Sequence, residues 1–202
     1  MICLIFSEVW FVVKRTIDSA TVRYVEKLKD FNYGTDLEDA FFMDSGLTYS
    51  GTAATTISGL DHLEGEAVTV LADGSVVTGK TVSSGAITLS TAASKVHIGL
   101  AYTPELETLD PVTQDDEGTL QGVLKRITNV TLRLVSSMGG LFGTDSSTTD
   151  PIPYDDETEP YTGWTKDLSF DGDYDQTSTV YITCDEPLPL EVAAIMMELE
   201  DE

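Results

Sequence analysis

A chain of 202 residues, 41% hydrophobic and 23% charged, is long enough to bury a core as one large β domain or two small ones, and its composition is globular rather than disordered. Its 35 acidic residues outweigh 11 basic ones, for a formal net charge of -24. That balance argues against a tight duplex-DNA binder, since phosphate binding depends on clustered Lys and Arg, while leaving loose passage of DNA past the surface compatible.

Cys3 and Cys184 define no disulfide framework and supply too few ligands for a cysteine zinc site. Met1 to Phe6 is apolar but runs straight into Glu8 and Lys14 without a basic leader region or a small-residue cleavage pattern, so no secretory signal is expected. No run approaches the eighteen or so apolar residues of a membrane-spanning helix.

In chain order, Ile2 to Val13 reads as a strand, Asp18-Ser19 as a turn and Thr21 to Leu28 as a second strand with Val22 and Tyr24 facing away from Arg23 and Val25: a hairpin. Because strand character begins almost at Met1, the sequence reads as the C-terminal piece of something longer. Phe31 to Phe42 is an acidic, aromatic excursion with room for one short helical turn. Phe41 to Tyr102 alternates apolar and polar residues over short runs broken at Asp73-Gly74, Gly79 and Ser84-Gly85, where tight turns need residues that tolerate positive φ. Leu47, Tyr49 and Ile57 are expected to pack. Val68 and Val70, then Val76 and Val77, then Ile87 and Leu89, then Val96, Ile98 and Leu100 each mark a strand, which makes 41–102 an inserted, small barrel-like β unit.

Thr103 to Gly118, with Pro104, Pro111 and six acids, is expected to be a loop or crossover. Leu120 to Leu134 resumes strand character, with polar Thr128 and Asn129 between Ile127 and Val130. Ser136 to Tyr161, rich in Ser, Thr, Gly, Asp and Pro, reads as a long surface excursion touching a neighbouring subunit through Leu141, Phe142 and Tyr154. Trp164 to Phe170 and Thr179 to Thr183 read as strands around an acidic turn, Asp171 to Asp175. The end, PLPLEVAAIMMELEDE, fits a helix face and an alternating strand; the prolines and the missing N-cap favour the strand. The class expected is all-β, with antiparallel or mixed strands and long acidic loops, 1–40 and 103–202 forming one discontinuous platform around the insert.

Chemistry is sparse. His62, in GLDHLEG, invites a catalytic or metal role, but His97 is the only other histidine, and three or four convergent ligands are needed for a transition metal. The simpler reading has His62 and Asp61 making turn and backbone hydrogen bonds. Asp171, Asp173 and Asp175 start like a calcium loop but lack its central glycine and terminal glutamate. No nucleophile elbow or phosphate loop is present, and Lys80 after Gly79 is a surface charge near a turn. No enzyme activity, cofactor or metal is expected. Lys125, Arg126 and Arg133 cluster on one strand, to pair with nearby acids or to face a partner.

The segments EVWFVVKR (8–15), TVRYVEKL (21–28), DSGLTYSG (44–51), ISGLDHLEGEAVTVLADG (57–74), VHIGLAY (96–102), KRITNVTLRLVSSMGGLFG (125–143), YTGWTKDLSFDGDYDQ (161–176) and ITCDEPLPLEVAAIMMELE (182–200) resemble, in order, the C-terminal portion of the tail nozzle family of short-tailed bacteriophages, also called tail tubular protein B. The resemblance implies a virion structural protein of the short tail, a hexameric ring around the DNA ejection path, in contact with the adaptor ring and tail-fibre proteins, with transient, non-specific passage of DNA. The matching landmarks are Trp10, Gly46, Tyr49, Gly59, Leu60, His62, Gly65, Gly74, Gly99, Pro187 and Pro189, all structural. The large propeller-bearing part of the family is missing from this sequence. Acids facing a channel would repel phosphates and favour transit over capture. The competing class is a monomeric β-rich module that binds protein or carbohydrate at a concave site lined by aromatics such as Tyr49, Tyr102 or Trp164.

Overall fold

Antiparallel ladders make up all the strand pairing described, so the all-β class expected from alternation is the class the chain adopts. The structure, a computed structural model, describes residues 2–5, 8–111, 114–115, 118–119, 122–156, 158–166, 168–170 and 172–201. Its only helical turns among these residues are 3-10 turns at Leu37–Asp39 and Asp61–Leu63. The chain divides into two compact units, Met1–Tyr102 and Thr103–Glu202. The division falls after Tyr102, whereas the sequence expectation joined 1–40 to 103–202. Its reason is local: Ile17, Val22 and Tyr24 of the first hairpin pack into the core of the segment that follows them.

In the first unit, β1 (Ile2–Ile5), β2 (Glu8–Ile17) and β3 (Ala20–Lys27) form one sheet in that order. The expected single strand from Ile2 to Val13 is thus two antiparallel strands, and positions 6–7 lie outside the described residues. β2 and β3 join through Asp18 and Ser19, both at positive φ (44° and 63°), the two-residue turn whose twist matches a right-handed hairpin. β4 (Asp44–Ser58), β5 (Ala67–Ala72), β6 (Ser75–Thr81) and β7 (Ala86–Leu100) form a second sheet ordered β4-β7-β5-β6. Asp73-Gly74 makes the tight turn between β5 and β6, again with two positive φ angles (45° and 78°). Gly79 does not turn the chain; it lies in β6, where the register slips by one residue against β5. Ile87 to Leu100, expected as two strands, lies within the single 15-residue strand β7, which runs the length of the equally long β4. No ladder among the described residues joins the outer strands β4 and β6, so the sheet is hydrogen-bonded as an open path. Ile57, Leu60, Leu63, Val70, Val96 and Ile98 are sealed from solvent at its centre, each contributing about 1.5–3 kcal/mol of transfer free energy.

In the second unit, β8 (Glu105–Glu107) and β9 (Gln114–Asp115) fall within the stretch expected to be loop, and β10 (Gly118–Thr119) begins at its last residue. The expected acids Asp116 and Glu117 and the strand start at Leu120 lie outside the described residues. β11 (Lys125–Ser137) carries β17 (Val192–Asp201) on one side and β14 (Tyr161–Trp164) and β15 (Leu168–Ser169) on the other. The interruption of alternation between Ile127 and Val130 is a β-bulge: two residues of β11 pass one of β17, which returns Val130, Leu132 and Leu134 to the core side. The strand choice for the C-terminal segment agrees with β17.

β12 (Leu141–Asp145) and β13 (Thr148–Pro151) form a hairpin in a sheet ordered β13-β12-β16-β8, where β16 is Tyr181–Thr183. This corrects the expected surface excursion at 136–161. Phe142 and Ile152 are buried in the core with Val180 and Ile182, and the Asp145 carboxylate accepts from the backbone N–H groups of Ser147 and Thr148 to close the turn.

Candidate functional site

Both histidines are committed to backbone carbonyls. His62 Nε2–H donates to the Ser45 carbonyl at 2.9 Å, and its own carbonyl accepts from the Tyr24 hydroxyl at 2.8 Å, with the two rings edge to face. Three segments, β3, the start of β4 and the 3-10 turn at Asp61–Leu63, meet at this residue. His97, buried on β7, uses both ring nitrogens. Nε2–H donates to the Glu38 carbonyl at 2.9 Å, which can only accept, so Nδ1 accepts from the Thr48 hydroxyl at 2.8 Å. Burial holds its pKa below the usual histidine value. Lys95 ion-pairs with Asp39 and Glu38, so His97 and Lys95 together pin the acidic excursion to β7.

The expected partner-facing residues separate. Lys125 is fully buried: Nζ lies 3.0 Å from Asp110 and donates to the Gln176 carbonyl at 2.9 Å. The Asp110 carboxylate also accepts from the Ser178 N–H, and Ser178 Oγ–H donates to the Lys125 carbonyl. Desolvation works to raise the pKa of Asp110, but the Ser178 N–H and Lys125 outweigh it and hold the carboxyl below its ordinary value. This knot ties the segment before β9 to the first residue of β11. It corrects the reading of Lys125 as a surface contact, and Phe142 likewise lies inside. Tyr154 is part-buried, donating to the Gly139 carbonyl at 2.8 Å, and burial pushes its phenol well up; Leu141 on β12 is half-buried. Arg126 pairs with Glu200 and lies over the Tyr174 ring, and Arg133 lies over Trp164.

The landmark residues hold packing and turns. Gly46 and Gly99 lie against each other where β4 bulges toward β7: a Cβ on Gly99 would stand 2.7 Å from the Asp44 carbonyl oxygen and 3.0 Å from the Gly46 Cα. Leu60 is fully buried, Tyr49 donates to the Thr52 carbonyl, Gly59 and Gly65 flank the His62 turn, and Gly74 follows Asp73 in the β5–β6 turn. Pro187 and Pro189 are buried beside β11, where the Pro189 carbonyl accepts from Met138 N–H. Trp10 is part-buried on β2.

Of the calcium-like acids, Asp171 lies outside the described residues, and Asp175 turns its carboxylate onto the N–H of Gln176. Among the described residues no three His, Cys, Asp or Glu side chains converge as a metal site would require, and no helix is long and apolar enough to cross a membrane.

What distinguishes the surface is charge and open edges. Residues 1–102 carry 12 acids against 7 bases, a net of -5, and residues 103–202 carry 23 against 4, a net of -19. Among the described residues β17 pairs only with β11, leaving its outer edge open, and from Val192 to Met197 that edge holds no charge. Met196 is 56% exposed on it. Lys14 on β2 and Arg23 on β3, to which the sequence assigns no site role, are both exposed and stand opposite each other across the hairpin. No protein-family model matches this chain, and no curated protein matches it.

Proposed function

We propose that this chain is a virion structural protein of a short-tailed bacteriophage, part of the tail nozzle ring that surrounds the DNA ejection path, and that it works by assembly rather than by catalysis. The ordered resemblance of eight segments to that family supports the reading. The observation that carries it is the β17 edge. A strand with an open side and six successive uncharged residues, Val192 to Met197, ahead of the acids at its end is a template for pairing, and a protein that must stay monomeric blunts such an edge with charge, proline or a covering loop. Assigning no chemistry fits the histidines, of which His97 spends both ring nitrogens on structure. The acid excess, concentrated in residues 103–202, opposes phosphate capture, so a ring of these chains lets DNA pass without holding it.

Negative-stain electron microscopy of the purified chain at low ionic strength is the test. Closed rings with a central opening are expected; open, irregular strings or dispersed single copies would count against the proposal.

A further inference from the structure

The outward face of the β2–β3 hairpin is built unlike the rest of this acidic molecule. Alternation sends Ile17, Val22 and Tyr24 inward and leaves Val12 and Val25, directly opposite each other, at 39% and 69% exposure. The next pair along the same face is Lys14 opposite Arg23, both exposed. On its other side Lys27 stands opposite Trp10 and is neutralised by Glu8. Like charges directly opposite each other in a sheet are destabilising, and with 35 carboxylates in the chain, none among the described residues is placed against Lys14 or Arg23. Their neighbour Arg15, on the inward face, shows the contrast: its guanidinium grips Glu26 with two bonds of 2.7 and 2.6 Å.

From this charge pattern we infer that the Lys14/Arg23 face, with Val12 and Val25 at its centre, docks the acidic second unit, residues 103–202, of another copy of this chain. The inference names which surfaces meet in the assembly proposed above and rests on that reading. Charge selects the occupant. The two units differ by 14 charges, -5 against -19, and the second exposes carboxylates such as Asp156, Glu159 and Asp173. A cationic, partly apolar face on one unit and a carboxylate-rich surface on the other are different patches, so the contact is head to tail, the kind that closes into rings. An acidic occupant offsets the repulsion between Lys14 and Arg23 and covers the two valines; electrostatic complementarity of this sort sets register and on-rate.

Two experiments test it on the full chain. In a mixture of isotopically light and heavy copies, a zero-length carbodiimide cross-linker should join Lys14 to carboxylates of residues 103–202 across differently labelled copies; links from Lys14 confined to one copy would overturn the inference. Sedimentation equilibrium of Lys14→Glu, and of Lys14→Glu with Arg23→Glu, should show association weakened about tenfold or more with a flattened salt dependence. Lys14→Glu creates an opposite-charge pair with Arg23, so its thermal midpoint should hold or rise while assembly is lost, which separates an interface defect from a folding defect. If wild type assembles and both variants assemble equally well, this interface is wrong and the ring reading stands. If wild type never assembles, the ring reading falls first.

Discussion

Residues 1–102 and residues 103–202 build antiparallel sheets by different means. The first unit relies on tight two-residue turns and close backbone contacts: Asp18-Ser19, Asp73-Gly74 and Ser84-Gly85 each hold two positive φ angles, and Gly46 meets Gly99 without room for a side chain. The second is drawn together by longer-range ties, the buried Lys125–Asp110 pair and the bulged β11 on which three other strands lie. It also carries most of the net charge. Local turn chemistry yields a unit that tolerates few changes of shape, whereas a unit built on one buried cation depends on that cation's partner.

The largest expected effect breaks the second unit alone. Lys125→Met leaves Asp110 and the Gln176 carbonyl without their cation, a cost of about 3 kcal/mol. Amide exchange should rise in β11 and β16 and stay unchanged in β4 and β7; equal loss in both units would contradict the assignment.

Two glycines give the next effect and compare the units directly. A Cβ at Gly143 would sit 1.8 Å from the Thr148 carbonyl oxygen, and one at Gly99 2.7 Å from that of Asp44. Overpacking against backbone costs about 1–3 kcal/mol, so both alanine variants should unfold at lower denaturant, Gly143→Ala by the greater margin. Equal midpoints to wild type would show that the hairpin β12–β13 adjusts freely.

How much of this was legible differs between the units for a physical reason. Turn residues with positive φ are written in the sequence as Asp-Gly and Ser-Gly, so most of the strands of residues 44–100 could be placed from it. The β12–β13 hairpin turns through Asp145, Ser147 and Thr148 by side-chain bonds to the backbone, and a Ser/Thr/Asp run looks the same whether it turns a hairpin or wanders. Phe142 and Ile152 were the apolar clue that a core ran through it. Lys125 was misplaced because a lysine on a strand normally covers a surface; its acid, Asp110, lies 15 residues upstream in a stretch read as loop, and spacing could not join them. Lys14 and Arg23 were legible as alternating positions, but their facing across the hairpin needed the register.

A smaller effect concerns acid. His97 is held neutral by burial, with its pKa lowered, so below the unfolded value of about 6.5 the unfolded chain takes up a proton that the folded first unit refuses. The stabilisation is complete above that pH and is lost as pH falls through it. Wild type should lose stability from pH 7 to pH 5 more steeply than His97→Gln; parallel curves would remove His97 from the account.

Salt gives the smallest effect, below about 1 kcal/mol, and it should favour the second unit, where -19 is screened against -5 in the first. Exchange protection in 103–202 should rise with salt while 1–102 barely responds.

The most direct test of the central claim is the mass of the chain in solution, measured by light scattering across a concentration series at low ionic strength. Assembly through the β17 edge and the head-to-tail contact requires a mass several times 21.9 kDa, rising with concentration. A mass of 21.9 kDa at every concentration and salt would contradict it.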